Sequence, residues 1–183
     1  MSQLIKRILR VDHAGEHGAM AIYSAQLARA QRRYPDLVPW LEETLSHETR
    51  HRSTFRAAMD ERGVAPCGAL AVWSLGGGVL GATTAVFGRT GVYICTAAVE
   101  RTVRRHLKEQ AAYLDVADPA LAVLVRDVLV EEEQHLAHAE GGHDPSSFSA
   151  RALSTAVAAA TEILIWLSTQ GATFGFKRDM REA

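Results

Sequence analysis

Glu48-Thr-Arg-His51 and Glu132-Glu-Gln-His135 decide how this chain is read, because each is preceded 32 residues upstream by a further carboxylate, Glu16 and Glu100 respectively. On a helix, residues i and i+3 share a face, so each Glu-x-x-His aims one oxygen and one nitrogen at the same point. Glu16 and Glu100 on neighbouring helices complete a set of four carboxylates and two imidazoles. The same distance appears in both halves, which chance placement of Glu-x-x-His seldom provides.

Such a set is the donor constellation that ferritin-like bundles place around a pair of iron or manganese ions. The spacing alone is common in a chain with eight His, and Glu140-Gly-Gly-His143 is a third copy. Paired glycines and Pro145 oppose a helix there, so its side chains have no fixed common face. Glu100 carries an additional clue. It ends the apolar run Val92-Tyr-Ile-Cys-Thr-Ala-Ala-Val99, where a buried carboxylate needs compensation and a cation supplies it. His47-Glu-Thr-Arg-His51 also matches the His-Glu-x-x-His of zinc proteases. That reading leaves Glu100 and Glu132-x-x-His135 unexplained and finds no further acidic residue between Glu61 and Glu100 for a third ligand. His47 is then a neighbour of the site, solvated or behind the ligands.

Composition frames the fold. A chain of 183 residues suffices for one helical domain, here taken as 1–183, and 20 Lys+Arg against 21 Asp+Glu give no electrostatic reason to propose nucleic acid. Cys67 and Cys95 lack a metal-binding spacing and suggest a reducing compartment. The first residues, with Lys6, Arg7 and Arg10, read as a native start without a secretory signal. Helical spacing predicts helices over 4–33, 38–62, 89–114, from Asp118-Pro119 to about 140, and over 147–167. Gly15 and Gly18 weaken the first helix locally while allowing close approach. No strand series or glycine-rich phosphate loop interrupts the pattern, so the expected class is all-α: a ferritin-like four-helix bundle with additional apolar and C-terminal helices.

Residues 63–88 hold no charge over 26 positions but include seven glycines, three of them consecutive at Gly76-Gly77-Gly78. That run weakens a continuous helix and makes a poor transmembrane span. The expectation is a bent apolar element in the membrane interface, placed to deliver a lipid-soluble substrate; a buried connection between the two halves is the alternative.

The chain resembles the demethoxyubiquinone hydroxylases of ubiquinone biosynthesis. The resemblance rests on Arg10-Val-Asp-His-Ala-Gly-Glu16, Gly18-Ala19, Ile22-Tyr23, Gln26, His47-Glu-x-x-His51, Cys95-Thr-Ala-Ala-Val-Glu100, His106, Gln110, Glu132-x-x-His135 and Ile165-Trp-Leu-Ser168, and covers nearly the whole chain. It implies an O2-dependent monooxygenase that hydroxylates the ring of a polyprenylated demethoxyubiquinol. It also implies two iron ions per chain, held by Glu16, Glu48, His51, Glu100, Glu132 and His135, with no catalytic residue beyond the metal centre. Reducing equivalents would come from NADH, another reductant or the quinol, although no nucleotide fingerprint is present. His13, Tyr23 and His106 are candidates to stand behind the ligands.

Further implications are a prenylated quinol as substrate, a membrane surface as partner, and a homo-oligomer or lipid-binding biosynthesis partner. The expected location is peripheral, on the cytoplasmic face of a bacterial inner membrane or, alternatively, the matrix side of the mitochondrial inner membrane. The chain departs from the family pattern at His17, where Tyr is usual, and at Leu107, where an aromatic often stands. The basic stripe Arg101, Arg104, Arg105 and Lys108 is a further departure, read as a solvated face rather than a headgroup site. Glu162, in apolar surroundings, is expected to pair with a nearby Arg. A ferritin-like ferroxidase or a tRNA-modifying di-iron hydroxylase would use the same ligands.

Overall fold

Ser2 opens the first helix by accepting the Ile5 amide on its Oγ at 3.2 Å, which satisfies one of the donors that a helix start leaves bare. In the computed structural model, which describes residues 1–168, α1 runs Gln3–Arg33 and a single 3₁₀ turn over Pro35–Leu37 leads into α2, Val38–Glu61. Then follow α3 (Leu70–Val86), α4 (Gly88–Ala117), α5 (Pro119–Gly141) and α6 (Phe148–Ser168), with no strand among the described residues. Asp118 caps α5 through the Leu121 amide at 3.1 Å, and Arg62 grips the same carboxylate at 2.9 and 3.2 Å. Pro119 sits at the first helical position, where its missing N–H is not needed.

Helix α1 packs on α2, and α4 on α5, so the four long helices form two hairpins. Their apolar residues form separate plugs. One joins Leu4, Ile8 and Leu9 to Phe55, Met59, Leu114, Leu121 and Val125; the other joins Ile22 and Tyr23 to Leu41, Val92, Cys95 and Val99. Glu16, Glu48, His51 and Glu100 fall between these plugs along their own helices, so the polar layer is closed off from both ends of the bundle.

The expectation of a bent segment at 63–88 needs correction at its centre, because Leu70–Val86 is one continuous helix. The glycines weaken helix propensity, but here they permit contact that no larger residue allows. A Cβ on Gly77 would meet the carbonyl oxygen of Gly18 at 2.3 Å, and one on Gly81 would meet that of Ile22 at 2.3 Å. Trp73 lies against Gly18 in return, within 2.7 Å of where its Cβ would stand. This backbone-to-backbone seam between α1 and α3 offsets a propensity cost of about 1 kcal/mol per glycine. The other side of α3 is apolar and open: Leu75 is 70% exposed and Val79 56%.

Three of the four residues in the basic stripe of α4 are ion-paired. Arg101 reaches Glu140 at 2.7 Å, Lys108 reaches Glu133 at 2.6 Å, and Arg105 pairs with Glu162, the partner expected for that carboxylate. These exposed bridges contribute little energy individually but tie α4 to α5 and α6. The third Glu-x-x-His copy is spent elsewhere, with Glu140 on Arg101 and His143 Nδ1 2.9 Å from the Ala139 carbonyl.

The α1–α3 seam predicts opposite effects from one substitution at two glycines. Gly78 has nothing within 4 Å of an added Cβ, so Gly78→Ala raises stability by up to about 1 kcal/mol. Gly81→Ala, which drives a methyl into the Ile22 backbone, lowers it by about 1–3 kcal/mol. Urea unfolding measures both, and shifts of the same sign would contradict the packing described.

Candidate metal centre

Two groups of ligand atoms come together in the buried layer: Glu16, Glu48, His51 and Glu132 in one, and Glu48, Glu100, Glu132 and His135 in the other, with atoms within each group no more than 4.8 Å apart. All six residues anticipated from the sequence are therefore gathered, and Glu48 and Glu132 belong to both groups. The two shared residues are the carboxylates of the Glu-x-x-His motifs, so each offers oxygens to both groups. The i, i+3 relation brings His135 Nδ1 to 3.3 Å from Glu132 Oε2, and the fold adds Glu48 Oε1 at 3.4 Å. His51 Nδ1 lies 3.1 Å from Glu132 Oε1 and 3.7 Å from Glu16 Oε2.

Each histidine thus turns Nδ1 inward and Nε2 outward. The outer nitrogen is held by the residue that precedes the glutamate of the opposite motif. His51 Nε2 meets Glu131 Oε2 at 3.0 Å, and His135 Nε2 meets His47 Nδ1 at 3.0 Å. Arg50 pairs with the same Glu131 oxygen. An outer acceptor fixes the tautomer and ring orientation of a metal-binding imidazole. Glu131 was not singled out in the sequence, although its place beside Glu132 was the available signal. Of the two places expected for His47, solvated or behind the ligands, it takes the second, against His135.

The three outer candidates fare differently. Tyr23 donates its hydroxyl to Glu100 Oε1 and is fully buried. His106 lines the cavity described below, 3.5 Å from Glu162 Oε1, and reaches it without any break in α4. His13 is buried, but no hydrogen bond among the described residues joins it to the six. Burial, with Arg52 and Arg56 nearby, lowers its pKa to about 4.

The electrostatics follow from four carboxylates sharing one buried layer. Burial raises Glu48 well above the ordinary carboxylate range, and the charges of Glu132, Glu16 and Glu100 add to it. Glu100 is raised by burial and Glu132, with the Tyr23 hydrogen bond acting against them. Glu132 goes the other way, because hydrogen bonds from His135 and His51 outweigh burial and hold it below its usual range. Burial disfavours the charged form of His51, yet Glu132 and Glu16 raise its pKa to about 10. Such a set is neutralised either by protons or by metal cations. The donor chemistry fits cations: Glu48 Oε1, Glu132 Oε1 and His51 Nδ1 are buried without a well-aligned hydrogen-bond partner. Oxygen with imidazole nitrogen suits iron or manganese, while the absence of sulfur argues against a soft-metal preference.

An apolar cavity opens onto these carboxylates. Its walls come from Val11, Gly15, Ala19 and Ile22 of α1, Trp73, Gly77 and Leu80 of α3, Val99, Val103 and Leu107 of α4, and Thr161, Leu164 and Ile165 of α6. Glu16, Glu48, Glu100 and Glu132 line the same space.

The family model of the ubiquinone biosynthesis protein COQ7 matches residues 3–168. The chain belongs to this family. The 3-demethoxyubiquinol 3-hydroxylase of Rhodospirillum rubrum is 35% identical over 167 residues, which are 90% of this chain and 77% of that protein. The mitochondrial NADPH-dependent 3-demethoxyubiquinone 3-hydroxylase of Homo sapiens is 34% identical over 170 residues, 90% of this chain and 76% of its own length. The corresponding Dictyostelium discoideum protein is 32% identical over 172 residues, with shares of 92% and 78%. COQ7-family membership accounts for the all-α architecture and for the run around Glu16, which the ligand spacing alone did not require.

The pKa pattern has a measurable consequence for metal loading. Burial and the neighbouring carboxylates favour the protonated forms of Glu48 and Glu100, and His51 is raised to about 10; a cation competes with those protons. Metal affinity therefore rises with pH, and calorimetric titration in buffers of different ionisation enthalpy should count more than one proton released per chain at pH 7. Release of none would contradict the charge balance.

Proposed function

We propose that this protein is a di-iron monooxygenase of ubiquinone biosynthesis, which hydroxylates the ring of a polyprenylated demethoxyubiquinol with O2. The observation that carries the reading is an apolar cavity ending on two overlapping sets of buried carboxylate and imidazole ligands. A storage protein or ferroxidase needs only an aqueous path for ions, whereas a prenylated ring needs apolar walls.

Glu16, Glu48, His51, Glu100, Glu132 and His135 would hold two iron ions, and the iron pair supplies the activation of O2. The chain's own residues do the rest. The cavity walls bury the ring and exclude water, which protects a reactive oxygen equivalent from side reactions. Glu131 and His47 keep the two imidazoles aimed inward. Tyr23, raised well above the usual phenol range by burial and by Glu100, keeps its proton and steadies the Glu100 carboxylate. Reductant comes from NADH, another donor or the quinol itself.

Access is from a membrane surface. Helices α3 and α6 touch one another, both line the cavity, and both leave apolar side chains in the open: Leu75, Val79 and Val86 on the first, Ile163 and Trp166 on the second. Phe148–Trp166 is also long and apolar enough to cross a membrane, with mean hydropathy 1.3 and 22% of the stretch buried. It carries Arg151 and Glu162, and Glu162 pairs with Arg105. Attachment at the interface, with α3 and α6 against the acyl chains, leaves that ion pair outside the bilayer centre. The location is the cytoplasmic face of a bacterial inner membrane or its mitochondrial counterpart.

The test is aerobic incubation of iron-loaded protein with demethoxyubiquinol in vesicles under working reductant. The expected result is two irons per chain and a product heavier by a single oxygen. Glu132→Ala is expected to lose at least ~100-fold in turnover, since even outer-shell losses cost about 10–100-fold. The same vesicles should carry the protein upward on a density gradient, and Leu75→Asp with Val79→Asp should leave it behind. Unchanged quinol, or a fully active Glu132→Ala, would contradict the assignment.

A further inference from the structure

The apolar cavity contains one polar pair that the metal centre does not use. Gln110 of α4 donates its Nε2 to Asp12 Oδ1 of α1 at 2.8 Å, across 98 positions of sequence. Both side chains line the cavity and both are buried, Asp12 at 9% and Gln110 at 1% exposure. The contact satisfies only half of each group: Asp12 Oδ2 and Gln110 Oε1 have no hydrogen-bond partner. An unmade hydrogen bond in so buried a place costs about 1–3 kcal/mol per group, so these two atoms call for a partner from the cavity they face.

The location narrows the partner. Asp12 precedes Glu16 by four residues on a continuous helix, a rise of ~6 Å along α1. That offset is about the span of a substituted benzene ring, so a ring carbon presented to the carboxylate cluster sets an oxygen on the far side of the ring beside Asp12 and Gln110. Burial raises the Asp12 carboxyl well above its ordinary range; the Gln110 hydrogen bond opposes this and the Glu16 charge adds to it, so the protonated form is favoured. A protonated carboxyl beside a carboxamide presents one donor and one acceptor, whichever way round the amide lies. A phenolic hydroxyl requires that combination, while a prenyl chain requires neither.

We propose that Asp12 and Gln110 form a clasp for a ring hydroxyl of the quinol, fixing which ring carbon faces the metal ligands. The assignment rests on the substrate class proposed above and adds the part of the molecule that is recognised. The aliphatic tail lies along Trp73 and Leu164, and the clasp sets the register of the ring. Sites that hydrogen-bond a substrate hydroxyl reject analogues lacking it far better than apolar walls do, because the protein groups are then left unpaired.

Binding, rather than turnover, separates this from the parent reading. Iron-loaded protein held without O2 is titrated with a short-tailed demethoxyubiquinol and with the matching alkylbenzene that lacks both ring hydroxyls, followed by Trp quenching, since Trp73 lines the cavity. The wild type is expected to favour the quinol by about tenfold or more, the equivalent of one to two hydrogen bonds. Gln110→Met, close in shape, and Asp12→Leu should erase the preference, while Asp12→Asn, which keeps a donor and an acceptor, should retain most of it. Circular dichroism and iron content of each variant report folding, and Gln110→Met covers the case in which Asp12→Leu does not fold.

A wild type without preference, or a Gln110→Met protein that discriminates like the wild type, would overturn the clasp. A single water bridging the two orphaned atoms with no change in ring preference is the same negative result. Discrimination lost in the variants, in a wild type that does not hydroxylate the quinol, would support the clasp while removing the proposed reaction.

Discussion

Placing four carboxylates in one buried layer is the constraint to which the rest of the molecule answers. Isolated, each would be expelled to water or neutralised by a proton, since burial penalises the ionised form by several kcal/mol. Here the layer is sealed by apolar plugs at either end of the bundle, and two imidazoles are set among the oxygens. The consequence is visible in divided behaviour: Glu48 and Glu100 are pushed toward their neutral forms, while Glu132, contacted by both histidines, is held ionised. A layer built this way has the donors to hold cations, and any affinity for them is the counterpart of its instability without them.

The same layer explains why α3 is present. A four-helix bundle closes on its own core, but a quinol ring needs a side entrance to reach it. Gly18, Gly77 and Gly81 bring α1 and α3 into backbone contact, and Trp73 and Leu80 of α3 then form part of the cavity wall over Glu16. Glycine is used here for what it leaves out, and the helix it weakens is stabilised by the neighbour it touches. Helix α6 completes the wall with Leu164 and Ile165, and Glu162 ties it to α4 through Arg105.

Much of this was legible in residue spacing. The six converging groups, the capped helix at Asp118-Pro119 and the unsuitability of Glu140-Gly-Gly-His143 all depend on local periodicity, which a single sequence carries, and an Arg partner for Glu162 followed from its apolar surroundings. What escaped depends on which helices face one another. Gly76-Gly77-Gly78 reads as a weak point until α1 is known to lie against it. Glu131, and the partner of His47, are set by histidines some 80 to 88 positions away, and no helical spacing joins them. His13 shares a face with Glu16 by count, yet its surroundings are the cations of α2. Asp12 stood within the run that carried the family resemblance, but its partner Gln110 lies on another helix.

The central claim is that both halves of the chain grip one pair of metal ions, and anomalous diffraction from crystals of the iron-loaded protein tests it most directly. The account predicts two iron peaks about 3.5–4 Å apart, each flanked by one of the two ligand groups, with Glu48 and Glu132 reaching both. A single peak, or iron bound away from Glu16, Glu48, His51, Glu100, Glu132 and His135, would contradict it.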